Sequence, residues 1–386
     1  MSPTCHGPAP AALATLGGRP IPTVRSGAAA ALLPPSPPRP MAIPPSSASD
    51  PRVVTDADFP QGGPPEAQLA VLLNWAVHAP SLLNTQPWRF QIVDGDGGPQ
   101  AEVAVDPARV LRAVDPDGRE AVISCGAALY TLRLAARHYG FAAEVELAGP
   151  DDGPDLVGSV RLAGPSPPTA EEEALFRAVK LRHTNRDPYA DFPVPAGLAA
   201  QLRDAAKAEG ARLHVLTDDA DKSALADLVA QAVRAQGADP AAVAEIEAWL
   251  RPSGDPRPDG VPDAVQGGWD RLSYLPTDPA TLAAATRRLA QESPALVVVA
   301  TDGDGRSDWT RAGQALQRVL LLAAAEGLSA SYLNQPTEVA GLRPQVSALA
   351  GDGHAQVVFR LGTPIEARGT PRRRVADALR PDSPHA

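Results

Sequence analysis

A short polar loop is the part of this sequence best suited to chemistry. Ser81, Asn84 and Gln86 are closely spaced polar residues that lie between Pro80 and Pro87. Proline fixes its own φ and disfavours a helical residue before it, so the two prolines keep this segment from continuing the helix predicted upstream. A rigid polar loop beside an apolar helix suits a planar heterocyclic ligand. The alternative is a capped helix end followed by a turn.

A basic segment farther along the chain is a second candidate site. It runs Leu181-Arg182-His183-Thr184-Asn185-Arg186. A guanidinium group can bind two phosphate oxygens at once, and a hydroxyl can donate to a further oxygen. Arg182, Thr184 and Arg186 could therefore hold a phosphate group, although a solvated basic helix end is the alternative.

Other familiar kinds of site do not fit the sequence. Five histidines show no metal-ligand spacing, and a position on a helix face or in a turn is the better interpretation of each. They are His78, His138, His183, His214 and His354. No Gly-x-Gly-x-x-Gly follows a predicted strand and no Walker loop is present, so nothing indicates a Rossmann or nucleotide-hydrolase site. We expect no metal site, and Cys125 is expected in the core.

Composition excludes several classes of protein. The chain has 386 residues, of which 44% are hydrophobic, enough to build a sizeable core. Its net charge of -10 argues against a nucleic-acid partner, which normally requires a basic surface. The 2 cysteines are too few for a disulfide framework and fit a reducing cytoplasm. No apolar run reaches the roughly 20 residues of a membrane-spanning helix, so we expect a cytoplasmic protein that is not embedded in a membrane.

Changes in composition divide the chain. Residues 1–52 are rich in proline and alanine and predict a disordered tail, within which Met41 is a plausible true start. The break Pro165-Ser166-Pro167-Pro168 then separates a first unit, 53–165, from a second unit, 169–386. We therefore expect two folded units after the tail.

The second unit contains an unusual insertion at 251–278. It is rich in proline, glycine and aspartate, yet it carries Trp269 and Tyr274. This length and these aromatic residues favour a functional lid over an ordinary connection. Plain disorder is the alternative.

Hydrophobic periodicity predicts the elements that carry these sites. A helical face at 66–78 precedes the polar loop, and a hairpin of two strands, 88–93 and 101–105, follows it. Residues 126–140 and 313–327 are similar in pattern, which predicts the same core helix in both units. Further helices are predicted near 171–181, 196–209, 222–235 and 241–250, and further strands near 141–147, 156–162, 213–216, 295–300, 329–333 and 356–361.

The polar loop resembles a loop of the FMN-dependent nitroreductase superfamily. The pattern of that family, Pro-Ser-x-x-Asn-x-Gln-Pro-Trp, is filled at every fixed position by residues 80–88. The resemblance implies that Pro80, Ser81, Asn84 and Gln86 contact the isoalloxazine ring of FMN.

The basic segment resembles the Arg-Arg-Ser-x-Arg phosphate motif of the same superfamily. The resemblance implies that Arg182, His183, Thr184 and Arg186 lie at the FMN phosphate. The spacing to Asp187-Pro188-Tyr189 downstream strengthens this match.

Two stretches near the end of the chain add to the resemblance. Leu361-Gly362-Thr363-Pro364, followed by Pro371-Arg372-Arg373-Arg374-Val375, is similar to the closing strand and basic tail of the family. The resemblance implies that Arg372 contacts the phosphate. Thr370 stands where the family often has lysine, which leaves the exact basic partner open.

Asn334 and Gln335 lie where the superfamily places groups against N5 of the flavin. The usual Glu-Gly of the family is missing there. A donor near N5 would tune the potential of the flavin. A cap at the end of a strand is an equally good interpretation of these two residues.

The unequal distribution of these motifs resembles the Acg branch of the superfamily. The ring loop lies in the first unit and the phosphate motif in the second, and the resemblance covers roughly residues 54–379. It implies an α+β, nitroreductase-like fold of two fused halves forming a pseudo-dimer. Each half would be a mixed or antiparallel sheet packed by helices. One complete FMN site per chain is expected, in a monomer or a homodimer.

The function implied by the resemblance is NAD(P)H-dependent, two-electron reduction of an electron-poor small molecule at FMN. No side chain need act as a catalytic base in this scheme. An alternative is a flavin-sequestering protein whose lid seals a catalytically silent site. A third possibility is a pseudo-enzyme without flavin.

Overall fold

The computed structural model describes residues 54–95, 97–265, 278–366 and 368–380. The tail predicted at 1–52, with Met41, lies outside the described residues. So do Trp269 and Tyr274 of the predicted lid.

The first half of the chain folds into one antiparallel sheet packed by two long helices. Its elements are α1 (Pro65–Ala76), β1 (Trp88–Gly95), β2 (Gly98–Val105), α2 (Arg119–His138), β3 (Phe141–Leu147) and β4 (Leu156–Pro165). The strand order is β1-β2-β4-β3, and every pairing is antiparallel. Gly97 and Gly98, with φ of 107° and 112°, make the tight turn of the predicted hairpin. Alternate residues of β1 are buried, as expected for a strand with one face on a core.

The second half contains a second antiparallel sheet with helices on both faces. Its helices are α3 (Ala170–Ala178), α4 (Ala196–Ala208), α5 (Asp219–Gly237), α6 (Pro240–Ala248), α7 (Pro279–Gln291), α8 (Arg306–Ala325), α9 (Gln335–Glu338) and α10 (Arg343–Leu349). Its strands are β5 (Arg212–Leu216), β6 (Leu250–Arg251), β7 (Val261–Pro262), β8 (Ala295–Thr301), β9 (Ser329–Tyr332) and β10 (His354–Gly362). The main sheet has the order β5-β8-β10-β9, and β6 pairs with β7 apart from it.

Strand β8 is fully buried because helices cover both faces of its sheet. Val297 and Val299 pack in a cluster with residues of α4 and α8. Leu296 and Val298 point to the opposite cluster, formed with residues of α5 and α7. This explains the continuous apolar run that predicted a buried strand at 295–300.

The two sheets share one topology. In each sheet the strands run 1-2-4-3 when they are numbered along that half of the chain. In each half a 20-residue helix, α2 or α8, connects the second strand to the third. These two helices pack against each other where Gly126 meets Gly313. The predicted α+β class, with antiparallel sheets packed by helices, is confirmed.

The end of the chain returns to the first half. Leu379 forms a parallel bridge with Phe90 of β1, and the Arg380 N–H donates to the Phe90 carbonyl at 3.0 Å. The C-terminal residues thus extend the edge of the first sheet. Because of this crossing, residues 370–373 lie next to the polar loop that precedes β1.

Candidate functional site

A large cavity lies between the two halves. It encloses about 1070 Å³ of space, which includes the solvent at its open side. The first half contributes the polar loop and the first turns of α2. The second half contributes the start of the segment before α4, the end of β9 with α9, part of α7 and the tail at 370–372. The lining residues include Leu82, Leu83, Ile123, Ser124, Thr286, Leu289, Leu316, Ser331, Tyr332, Leu333, Val357 and Thr370.

Most of the residues predicted to hold a cofactor meet at this cavity. Those that line it are Pro80, Ser81, Asn84, Thr184, Arg186, Asn334, Gln335 and Arg372. Arg182 and His183 instead line a small neighbouring cavity of about 240 Å³, which shares Thr184 and Tyr332 with the large one. Gln86 lines neither. A cofactor contact of any of these residues stays a prediction.

The polar loop is held in an unusual backbone conformation. Leu83, Asn84 and Gln86 all have positive φ, at 44°, 55° and 51°. Such values are uncommon for residues other than glycine and persist where the surroundings fix them. Part of that fixing is local, because the Gln86 N–H donates to the Ser81 hydroxyl at 2.9 Å.

The Asn84 side chain ties the loop to two distant segments. Its amide nitrogen donates to the carbonyl oxygens of Gly260 at 2.9 Å and Pro371 at 3.2 Å. Its amide oxygen accepts from Nη1 of Arg372 at 3.2 Å. Asn84 therefore positions the C-terminal tail as well as bordering the cavity.

Gln86 has a structural task that the sequence did not predict. It is fully buried; its amide oxygen accepts from the Arg373 N–H at 2.7 Å, and its amide nitrogen donates to the Pro258 carbonyl at 2.8 Å. Buried backbone groups need partners, and the Gln86 side chain supplies them to Arg373 and Pro258. Gln86 does not line the cavity, and its contact with the ring stays a prediction.

The described part of the predicted lid, 251–265, packs against the polar loop. Arg251 is buried and pairs with Asp259 at 2.9 Å, and Arg109 pairs with the same carboxylate at 3.0 Å. Burial alone would raise the pKa of Asp259, but hydrogen bonds from the two guanidinium groups lower it. The Gly260 N–H donates to the Asn84 carbonyl at 3.2 Å. This part of the insertion braces the loop from outside the cavity.

A cluster of positive charge lies at one end of the cavity. Arg182, Arg186 and Arg372 all act electrostatically on the Tyr332 hydroxyl, whose pKa burial nevertheless raises to about 12. Burial lowers the pKa of the Arg182 guanidinium, which donates to the His78 carbonyl at 3.1 Å. Burial, together with Arg182 and Arg372, lowers the pKa of His183 to about 3. An anion is the natural ligand of this corner.

The cavity wall also carries two carboxyl groups that the sequence did not single out. Glu120, at the start of α2, accepts from Nη2 of Arg119 at 3.1 Å and from the Asn334 amide at 3.0 Å. Glu338, at the end of α9, also lines the cavity. Burial raises the pKa of both carboxyls. Acidic residues are common in the first turn of a helix, so Glu120 carries no distinctive sequence signal.

Asn334 uses both ends of its amide within the protein. Besides holding Glu120, it accepts the Val358 N–H at 2.8 Å. Gln335 differs, because its amide oxygen is buried without a hydrogen-bond partner in the described part of the chain, and the Tyr332 hydroxyl is in the same state. Both residues line the cavity. Orphaned polar atoms at a cavity wall are what a polar ligand would satisfy.

The described residues contain neither a metal-binding group nor a membrane-spanning helix. Among them, no group of histidine, cysteine, aspartate and glutamate side chains could hold a metal ion. No helix in the same ranges has the length and apolarity needed to cross a membrane.

Comparison with known proteins gives a consistent result. The model of the Nitroreductase family matches residues 179–363. The chain is 31% identical over 331 residues to "Putative NAD(P)H nitroreductase Rv3131" of Mycobacterium tuberculosis H37Rv, covering 82% of this chain and 92% of that protein. It is 30% identical over 315 residues to "Putative NAD(P)H nitroreductase acg" of the same strain, covering 79% and 92%.

Solved structures give weaker matches. NfrA2 of B. megaterium aligns with a TM-score of 0.35 at 12% identity, covering 54% of this chain and 74% of that one. The extent and identity of the curated matches decide the family, and the resemblance expected from the sequence is confirmed. This chain belongs to the nitroreductase family.

Proposed function

We propose that this protein is an FMN-binding oxidoreductase of the nitroreductase type, which uses NAD(P)H to reduce an electron-poor small molecule by two electrons. The observation that carries the proposal is the cavity between the halves, with the polar loop on one wall and the arginine cluster at one end. The names of the curated relatives support NAD(P)H as the electron donor.

The residues present fit FMN. Arg186, Arg372 and Thr184 would hold the phosphate, with Arg182 behind them in the small neighbouring cavity. Ser81, the backbone of the strained loop and the unpartnered oxygen of Gln335 would contact the ring. FMN would supply the chemistry, by accepting a hydride from NAD(P)H and passing it to the acceptor. The protein would bind, orient and desolvate the reactants.

We further propose that the chain is a fused pseudo-dimer of halves 53–165 and 169–386 with one FMN site. The shared strand order and the paired central helices support the duplication. The halves differ where the site is built. The connection from α1 to β1 is long and carries the polar loop, whereas α4 and β5 are separated only by residues 209–211. The connection in the second half that corresponds to the polar loop is therefore too short to form a second ring site.

The storage alternative is not proposed. It depended on Trp269 and Tyr274 covering the ring, and both residues lie outside the described part of the chain. The described part of the insertion, 251–265, contacts the back of the polar loop.

The test is an anaerobic absorbance titration of the purified protein. We expect flavin bands, about one FMN per chain after denaturation, and bleaching on addition of NADPH or NADH. Absence of flavin after reconstitution with excess FMN would overturn the proposal. Flavin that bleaches with dithionite and with neither nicotinamide would instead support storage.

A further inference from the structure

One carboxyl group borders two cavities at once. Glu338 lines the large cavity between the halves, and it also lines an outer cleft of about 1040 Å³. The outer cleft reaches the surface, since Asp117 and His354 at its rim are exposed. Glu338 therefore stands between the proposed reaction site and solvent.

Glu338 and Glu120 differ in the hydrogen-bond donors that surround their carboxyl groups. Arg119 donates to Glu120 at 3.1 Å, and its other hydrogen-bond partners among the described residues are neutral groups of Gln356 and Thr337. Glu338 accepts from the neutral amide of Gln236 on α5. It lines the large cavity together with Glu120, whose charge raises the pKa of Glu338. Two carboxyl groups that share a buried site repel each other when both are ionised, which favours a proton on one of them. The guanidinium of Arg119 compensates the charge of Glu120, so the proton belongs on Glu338.

The groups facing the pair favour this assignment. Burial raises the pKa of Glu338 well above its ordinary value of 4.5, and the charges of Glu120 and Asp115 raise it further. Arg119 and the Gln236 amide oppose the shift without cancelling it. Asn334 donates to Glu120 and helps keep it ionised.

We propose that Glu338 donates the proton consumed when the acceptor is reduced, and that it is reprotonated through the outer cleft. The step balances. The acceptor takes a hydride that originates from NAD(P)H, and the Glu338 O–H bond breaks to deliver the one proton still needed. A nitro group that gains this hydride and proton loses water and becomes a nitroso group. The Glu338 carboxylate then takes a proton from water in the cleft. This inference rests on the proposed function.

The first test compares the two half-reactions of the Glu338→Gln variant. Glutamine keeps the size of the side chain and a polar contact to Gln236 but has no acidic proton. We expect NADPH to bleach the flavin at the wild-type rate. Reoxidation by 1,4-dinitrobenzene under anaerobic conditions should slow by roughly 10²-fold, the usual contribution of a general acid, and should lose its solvent isotope effect. Glu338→Asp should restore part of the rate.

Asp117→Asn is the matched control. Asp117 borders the outer cleft and not the large cavity. The Asp117→Asn substitution should therefore leave the rates of both half-reactions unchanged. Equal reoxidation rates and isotope effects in the Glu338→Gln variant and the wild type would overturn the inference.

A second readout does not depend on turnover. Infrared spectroscopy of the resting protein at neutral pH should show the C=O stretch of a protonated carboxylic acid that shifts in heavy water. The band should vanish in Glu338→Gln. Its persistence in that variant, or its absence from the wild type, would overturn the assignment.

The two proposals fail in different ways. A wild-type protein that binds no FMN, or whose FMN is not reduced by nicotinamide, contradicts the proposed function while leaving the infrared assignment standing. A wild type that turns over normally, with an equally active Glu338→Gln variant, contradicts the proton donor alone.

Discussion

Gly126 of α2 and Gly313 of α8 lie in direct backbone contact. A Cβ built on Gly313 would lie 2.9 Å from the Cα of Gly126 and would overlap the carbonyl oxygen of Ile123. A Cβ on Gly126 would overlap the carbonyl of Thr310. The central helices of the two halves thus approach as closely as their backbones allow.

Gly313→Ala should therefore destabilise the protein even though alanine favours helices. Overpacking typically costs about 1–3 kcal/mol, more than the roughly 1 kcal/mol that alanine gains over glycine in a helix. Urea denaturation measures the change. Gly197→Ala in α4 is the control, because this glycine is exposed with open space around it, and it should be neutral or stabilising. Equal effects of the two substitutions would contradict the close approach.

Local patterns predicted many elements of this fold, whereas the helices α7, α9 and α10 were not predicted. The apolar periodicity of α1, the Gly-rich hairpin between β1 and β2 and the buried run of β8 all correspond to elements of the structure. The similarity of 126–140 to 313–327 predicted the central helices, because both must present small residues to a neighbour.

Contacts between residues far apart in the chain could not be predicted from the sequence. Glu120 at the start of α2 and Glu338 at the end of α9 line the same cavity, and no periodicity connects two such positions. The buried hydrogen-bond partners of Gln86 were not predicted, for a similar reason. Its spacing matched the other loop residues, but its positive φ and its partners in two distant segments depend on the folded chain.

Arg186→Gln should weaken FMN binding without weakening riboflavin binding. Riboflavin lacks the phosphate, and a hydrogen bond to a charged group contributes about 1.5–3 kcal/mol, so FMN affinity should fall by roughly tenfold or more. Fluorescence titration of the flavin-free protein with each ligand measures this. Arg374→Gln is the control, since Arg374 is exposed and pairs with Asp377 at 3.3 Å. An equal loss of both flavins would show that Arg186 does not act on the phosphate.

Gln86→Ala should loosen the insertion from the polar loop. The substitution leaves the Arg373 N–H and the Pro258 carbonyl without their partner, and each buried unsatisfied group costs about 1–3 kcal/mol. Hydrogen exchange should therefore rise at 258–261 and near 373. Gln61→Ala, at an exposed position, should change neither. Unchanged exchange in the Gln86 variant would mean that other contacts hold the insertion.

His183 should stay neutral far below its ordinary pKa of 6.5. Burial, Arg182 and Arg372 lower the pKa to about 3 in the folded protein. As pH falls below 6.5, His183 binds a proton in the unfolded chain but not in the folded protein. The free energy of unfolding therefore falls progressively until pH approaches 3. Nitrogen NMR of labelled histidine should show no titration of His183 near pH 6.5. Inorganic phosphate should raise its pKa by offsetting the arginine charges. Titration near 6.5 without phosphate would contradict the crowding of positive charge at this corner.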